Sequence, residues 1–331
     1  VTVTWAVPVV DSTRLAEVRR VVLRAATLGG LAAARRASAE LVATELATNL
    51  LKHAGGGRLL VEPLPGDRPG GVQLLAVDQG PGIADVPAAL RDGYTTSSSL
   101  GTGLGACQRT ADVFDLYSRA GRGTVALAQL HREPETDDGY RAGGVHLALG
   151  DEESGDAWTC RWDGGRLTVM MADGLGHGPA AARASAAAVR WLHEHPVRPP
   201  EVLLRELHDE LRATRGAAVG VAQYDPWSGQ LVFAGIGNIG ARLYHPPAGG
   251  PGGYGRGDGR VVEHLLSRPG IVGAGAYARP KTSSRPWPAA GLLALHSDGL
   301  SSRWQLPDDP ALSERHPAVT AAVILRDAAG T

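Results

Sequence analysis

The stretch E-L-A-T-N-L-L-K-H-A, Glu45 to Ala54, decides the fold of the first part of this 331-residue chain. Glu45, Asn49 and His53 recur at every fourth residue, so one helix face carries a carboxylate, an amide and an imidazole. Val42, Leu46 and Leu50 form an apolar stripe on the other side. A carboxylate beside an amide oxygen suits a nucleotide site, where one group takes a proton and the other holds Mg²⁺. Alone, the same pattern also describes an ordinary amphipathic helix with a polar face. The residues C-terminal to it distinguish the two.

Working outward, the short apolar run 72–77 leads directly into D-Q-G-P-G-I, Asp78 to Ile83. An acid at a strand end followed by two glycines provides a fixed hydrogen-bond acceptor beside bare backbone. Next comes S-L-G-T-G-L-G, Ser99 to Gly105, which opens a helix. Its glycines let backbone N–H groups and a helix N-terminus approach phosphate oxygens. No βαβ unit with an acid about 20 residues downstream surrounds this loop, and no G-K-[ST] follows, so neither a Rossmann nor a Walker A site is present. Helices are expected over 12–28, 31–53 and 105–113. Strands are expected over 59–61 and 72–77, with a hairpin of 113–118 and 124–130 turning at A-G-R-G.

The polar run E-P-E-T-D-D-G-Y-R-A-G-G then marks a boundary, and the pattern changes after it. Short strands are expected at 145–150, 156–161, 166–172, 218–224, 230–236, 241–244 and 292–297, interrupted by helices at 179–193 and 200–214. Strands with interspersed helices indicate layered sheets with helices on their faces, an α+β class. The Gly- and Pro-rich segment 245–260 reads as a flexible hairpin loop.

Bulk properties exclude several classes. A net charge of −1 offers no electrostatic case for nucleic acid or an anionic membrane surface. No apolar run approaches the about 18 residues needed to span a bilayer, and Val1 begins no signal-peptide pattern. Cys107 and Cys160 lie far apart without metal-ligand spacing, which fits a reducing cytoplasm. Lys52 and Lys281 are the only lysines against many arginines, a bias read as compositional.

In order, E-x-x-x-N-x-x-K-H-A, D-x-G-x-G-I, G-x-G-L-G and the G-x-G-T of Gly121–Thr124 resemble the GHKL (Bergerat) ATPase fold, a two-layer α/β sandwich. D-G-Y-T-T-S-S-S-L-G-T-G-L-G, Asp92 to Gly105, is similar to switch kinases and anti-sigma factors of the RsbT/RsbW kind. The resemblance covers about 1–131 and implies a domain at 1–132. It implies that Glu45 is the general base acting on a partner's Ser or Thr and that Asn49 coordinates Mg²⁺. Asp78 accepts from the adenine amino group, with Gly80 and Gly82 keeping that pocket open and Thr124 supporting it. Residues 95–105 become a lid that sets Gly101, Gly103 and Gly105 against the phosphates of ATP. Lys52 and His53 have either a phosphate-contacting or a surface role.

Three acidic motifs punctuate the second half: S-G-D ending at Asp156, M-A-D-G-L-G-H-G around Asp173, and H-S-D-G-L around Asp298. Carboxylates at strand ends beside glycines are good oxygen ligands for hard divalent cations. Any one D-G pair is an ordinary turn dipeptide. Together they resemble PPM-type phosphatases of the SpoIIE/RsbX kind, an α/β/β/α sandwich expected over 144–331 after a linker at 133–143. By that resemblance Asp173 bridges two Mn²⁺ or Mg²⁺ ions, the Gly174 carbonyl completes one, and Asp156 and Asp298 each add a carboxylate. Water activated between the ions is the nucleophile. His177 is either a general acid or a supporting residue, and Gly237 and Asn238 form a turn near the site. The chain departs from the family pattern at its end: L-R-D-A-A-G-T lacks the usual D-D-A-T acids, and Asp327 does not replace them. Either the sequence stops before that motif or the protein lacks it; as it stands, a weakened second metal site and a missing last strand, leaving a sheet edge unpaired, are expected.

The two resemblances imply a cytoplasmic, bifunctional kinase and phosphatase acting on a STAS-type antagonist protein, with a sigma factor or activator further downstream. The alternative is a nucleotide-gated binding module that sequesters such a partner and leaves the phosphatase as the only enzyme. A gyrase- or MutL-like ATPase is disfavoured because no transducer domain follows the ATP motifs.

Overall fold

The computed structural model describes all residues except 1–3, 65–69, 92–102, 134–138, 148–152, 247–260, 289, 302 and 329–331. The chain forms two compact units. One comprises Thr2–Leu147 together with Gln305–Thr331, and the other Ala148–Trp304.

The first unit runs β1 (Trp5–Val9), α1 (Arg14–Leu28), α2 (Ala33–Ala54), β2 (Gly57–Pro63), β3 (Gly71–Val77), α3 (Val86–Ala89), α4 (Leu104–Thr110), β4 (Val113–Arg119) and β5 (Gly123–His131). Its strands form one antiparallel sheet in the order β1-β2-β3-β5-β4. Alternation along β3 sends Val72, Leu74 and Ala76 to one face and Leu75 to the other. The first face packs under α1 and α2, where Val18, Val22, Val42, Leu46 and Leu50 are buried. The apolar stripe expected from the Glu45 motif is therefore the core side of α2.

The second face is also covered, so these strands read as near-continuous apolar runs and not as alternating ones. Its cover comes from the far end of the chain: α7 (Pro310–Ser313) and α8 (Pro317–Ala328). Leu312, Ala318, Val319, Ala322 and Val323 pack on Leu60, Leu75, Tyr117, Val125 and Leu127. Residues 305–331 thus group with the first unit, beyond the division expected at 144. Val145 and Leu147, expected to start a strand, instead lie unpaired against the same cluster.

The second unit contains β6 (Asp156–Asp163), β7 (Arg166–Gly174), α5 (Pro179–Glu194), α6 (Pro200–Glu210), β8 (Ala217–Asp225), β9 (Gln230–Ile236), β10 (Gly240–Tyr244), β11 (Val262–Leu265), β12 (Ser283–Pro286) and β13 (Leu292–His296). A five-stranded sheet has the order β12-β9-β8-β7-β6, and a three-stranded sheet the order β11-β10-β13. α5 and α6 bury Ala188, Leu192, Leu203 and Leu207 against Met170, Val219, Val221 and Ala234 of the larger sheet. Among the described residues β13 pairs on one side only. Residues 317–328 form α8 and group with the first unit. Most of the expected hairpin loop at 245–260 falls outside the described residues.

Candidate functional sites

Four sequence blocks meet at one end of the first unit's sheet. Gly80 lies against the end of α2, where a Cβ would come within 2.7 Å of Ala54 Cα. Gly123 lies against the Asp78 backbone at φ +82°, and a Cβ there would stand 2.1 Å from the Asp78 carbonyl oxygen. Only glycine accommodates that approach. Gly82, at φ +73°, is similarly close to the Arg119 carbonyl. α4 brings Cys107 to α2: its thiol lies 3.9 Å from the Val42 carbonyl oxygen. Burial, with the neighbouring Glu45 carboxylate, pushes that thiol up to about 12, so Cys107 packs as an inert core residue.

Asp78 is the anchor of the pocket. Its Oδ1 accepts from the Gly80 N–H at 2.8 Å and the Thr124 N–H at 3.1 Å. Among the described residues no other donor reaches this carboxyl group, leaving Oδ2 available to a ligand. Burial raises its pKa, opposed by those two N–H groups. Thr124 Oγ1 is 2.8 Å from Ser118 Oγ, which in turn accepts from the Ile83 N–H at 2.7 Å. Ser118 was not singled out from the sequence; its signal is its place in a strand next to the G-x-G-T block.

Glu45 and Asn49 are half-buried one turn apart on α2, whereas Lys52 and His53 are exposed in its last turn. Cations there complement the negative helix end, which favours the surface role for both. Among the described residues the buried Asn49 Nδ2 atom has no hydrogen-bond partner. Such orphans are rare in folded proteins, and this one fits an amide meant to meet a ligand or its ion. Gly103 caps α4 and Gly105 is buried in its first turn. Gly101, and most of the expected lid at 95–105, lie outside the described residues.

In the second unit, strand register brings the acids together. Asp156 and Asp173 are directly paired across β6 and β7. Asn238 donates from Nδ2 to Asp298 Oδ2 at 2.7 Å and to Asp173 Oδ2 at 3.4 Å. Ser297 Oγ donates to Asp156 Oδ2 at 2.9 Å. Burial, reinforced by Asp173 and Asp298, pushes Asp156 up to about 6. Burial and then Asp298 also raise Asp173. Among the described residues no Lys, Arg or His forms an ion pair with any of the three. Nor do three His, Cys, Asp or Glu side chains form a ready-made metal cage. The uncompensated charge and all-oxygen donor set nevertheless fit a hard divalent cation, which would relieve the repulsion that raises Asp156.

Gly174 ends β7, and a Cβ there would lie 2.0 Å from the Ala181 carbonyl oxygen, so α5 packs directly on it. Sequence reasoning assigned Asn238 only to a turn and did not use Ser297. Ser297 stood inside the quoted H-S-D-G-L and Asn238 in an expected turn, but their contacts depend on residues 141 and 60 positions away.

Residues 9–129 match the model of the histidine kinase-like ATPase domain, and residues 163–316 that of stage II sporulation protein E (SpoIIE). Asp156 precedes the second match. The chain is 41% identical over 85 residues to the serine/threonine-protein kinase RsbT of Bacillus subtilis (strain 168), covering 26% of this chain and 64% of RsbT. Similar solved structures include a chain of the bacterial stressosome (25% identical, TM-score 0.46, covering 56% of this chain and 91% of that one). Another is RsbX in complex with magnesium (19% identical, TM-score 0.42, covering 58% and 86%). Among the described residues no helix is long and apolar enough to cross a membrane. The chain thus joins an N-terminal histidine kinase-like ATPase domain of RsbT-like sequence to a SpoIIE-type domain.

Proposed function

We propose that this protein is a cytoplasmic partner-switching regulator that both phosphorylates and dephosphorylates Ser or Thr of a STAS-type antagonist protein. The observation that carries the reading is the presence in one chain of two chemically distinct sites. One combines Asp78, hydrogen-bonded to the Gly80 and Thr124 N–H groups, with Glu45 and Asn49 one turn apart on α2. The other is the set of carboxylates Asp156, Asp173 and Asp298.

In the first site Asp78 Oδ2 would accept from the adenine amino group, and Asn49 would hold the Mg²⁺ whose charge offsets that of the ATP phosphates. Glu45 takes the proton of the partner's hydroxyl as that oxygen attacks the γ-phosphorus and ADP leaves. Phosphoryl transfer needs mainly positioning and charge neutralisation, so this small set is sufficient. Gly103 and Gly105, with Gly101, cradle the phosphates at the start of α4.

In the second site two Mn²⁺ or Mg²⁺ ions, when bound, supply Lewis acidity and an activated water. Asp156, Asp173 and Asp298, with the Gly174 carbonyl, hold them. Ser297 and Asn238 orient the carboxylates through their hydrogen bonds to them.

Separate point variants test the reading. Glu45→Gln is expected to abolish phosphorylation of the STAS partner while sparing Mn²⁺-dependent dephosphorylation, and Asp173→Asn the reverse, scored on phosphate-affinity gels. Wild-type protein that binds the partner and ATP yet transfers no phosphate would favour the sequestering module.

A further inference from the structure

We propose that the segment returning from the phosphatase-type unit, residues 305–328, is a strap that completes the ATPase-type unit and tightens when its nucleotide site is filled. The inference rests on the ATP-binding reading of the first site. Both chain connections to the phosphatase-type unit are fastened to one face of the ATPase sheet. On the outgoing side, Val145 and Leu147 join the apolar cluster, and Gln73 donates to the Gly144 carbonyl at 3.2 Å. His146 lies 3.8 Å from the buried carboxylate of Glu62.

On the returning side, a polar latch grips the edge strand β4. Tyr117 donates its hydroxyl to Asp309 at 2.8 Å, and Arg315 donates to Asp115 at 3.0 Å. The His316 N–H also donates to Asp115. Beyond the latch, α8 lays Ala318, Val319, Ala322 and Val323 on the sheet. The two connections touch: a Cβ on Gly143 would come within 2.5 Å of the Ala318 nitrogen.

α8 also reaches the electrostatic surroundings of the pocket. Arg326 is 7% exposed, with Nη1 buried and unpartnered, and its positive charge acts on both Tyr117 and Asp78. At the other end of the strap, Trp304 is clamped within the phosphatase-type unit. Arg242 donates to its carbonyl at 2.7 Å and stacks 4.0 Å over its ring. A ligand that stabilises the ATPase sheet therefore stabilises the strap, and linkage makes the effect reciprocal.

Hydrogen exchange on the full-length protein, with and without a non-hydrolysable Mg-ATP analogue, tests this. At analogue one hundred times its Kd, exchange is expected to slow by up to about 100-fold both in the pocket segments 45–54 and 78–83 and in 317–328. Analogue affinity, measured by calorimetry, is expected to fall several-fold in a Tyr117→Phe/Arg315→Ala variant. Protection confined to the pocket segments, with 317–328 unchanged, would overturn the strap while leaving ATP binding intact. No protection anywhere would overturn both. The wild-type exchange data decide the matter even if the double variant fails to fold.

Discussion

Replacing Glu62 with Gln gives a prediction whose size comes directly from the structure. Glu62 is 2% exposed, accepting from Thr4 Oγ1 at 2.7 Å and from Gln73 Nε2 beneath the outgoing connection. Burial pushes its pKa from 4.5 up to about 7, against those two hydrogen bonds. Below pH 4.5 the carboxyl is protonated in both folded and unfolded chains, and its contribution to stability is fully present. Between pH 4.5 and about 7 the folded state keeps a proton that the unfolded state has released. Stability therefore falls by about 1.4 kcal/mol per pH unit, or about 3 kcal/mol across the window.

His146 has the opposite sign. Burial lowers it from 6.5 to about 4, so its contribution is present above pH 6.5 and is lost as pH falls through 4. Comparing wild type with Glu62→Gln at each pH removes most of that background. The glutamine amide matches the carboxyl in shape and can still bond Thr4 and Gln73, so the hydrogen-bond change is a constant offset. The slope belongs to the carboxyl. Amide exchange of β2 and β3, corrected for intrinsic rates, reports the opening free energy of this unit without assuming that both units unfold together. The variant should gain about 3 kcal/mol relative to wild type between pH 4.5 and about 7. A difference that stays flat with pH would refute the reasoning.

Three further outcomes are expected at the sites. Gly123→Ala places a methyl group 2.1 Å from the Asp78 carbonyl at φ +82°, and should weaken nucleotide binding at least tenfold in calorimetry while leaving Mn²⁺ binding unchanged. Because Asp156 sits at about 6, Mn²⁺ affinity should fall by up to about tenfold per pH unit below pH 6, with proton uptake on metal removal detectable in buffers of different ionisation heat. Asn238→Ala leaves Asp173 and Asp298 without their shared donor, so Mn²⁺ affinity should fall about 10- to 100-fold and the Mn²⁺-induced rise in Tm should shrink.

What could be read from the sequence was local. The Glu45 helix, the strand ending at Asp78 and the hairpin closed by A-G-R-G carry their periods and turn residues within a few positions of each other. The carboxylates were legible because each stands in or beside a glycine turn at a strand end. β1 was not legible: it is a five-residue edge strand containing Pro8, which makes it look like a loop. β11 and β12 have four residues each, too short for a period. α8 was hidden for a different reason. P-A-V-T-A-A-V-I-L-R is apolar nearly all round and β-branched in part, and its identity as a helix depends on the Leu60–Leu75–Leu127 face, which lies far away in sequence. The bridging role of Asn238 was unreadable on the same ground, because it joins two loops that only the sheets bring together.

Intact-mass spectrometry of a STAS-domain protein from the same cell, incubated first with this protein and Mg-ATP and then with Mn²⁺ after ATP removal, tests the proposed dual activity most directly. Gain of one phosphate in the first step, absent with Glu45→Gln, and its loss in the second, absent with Asp173→Asn, is the predicted result. A partner that binds in a stable complex but never changes mass in the first step would contradict it.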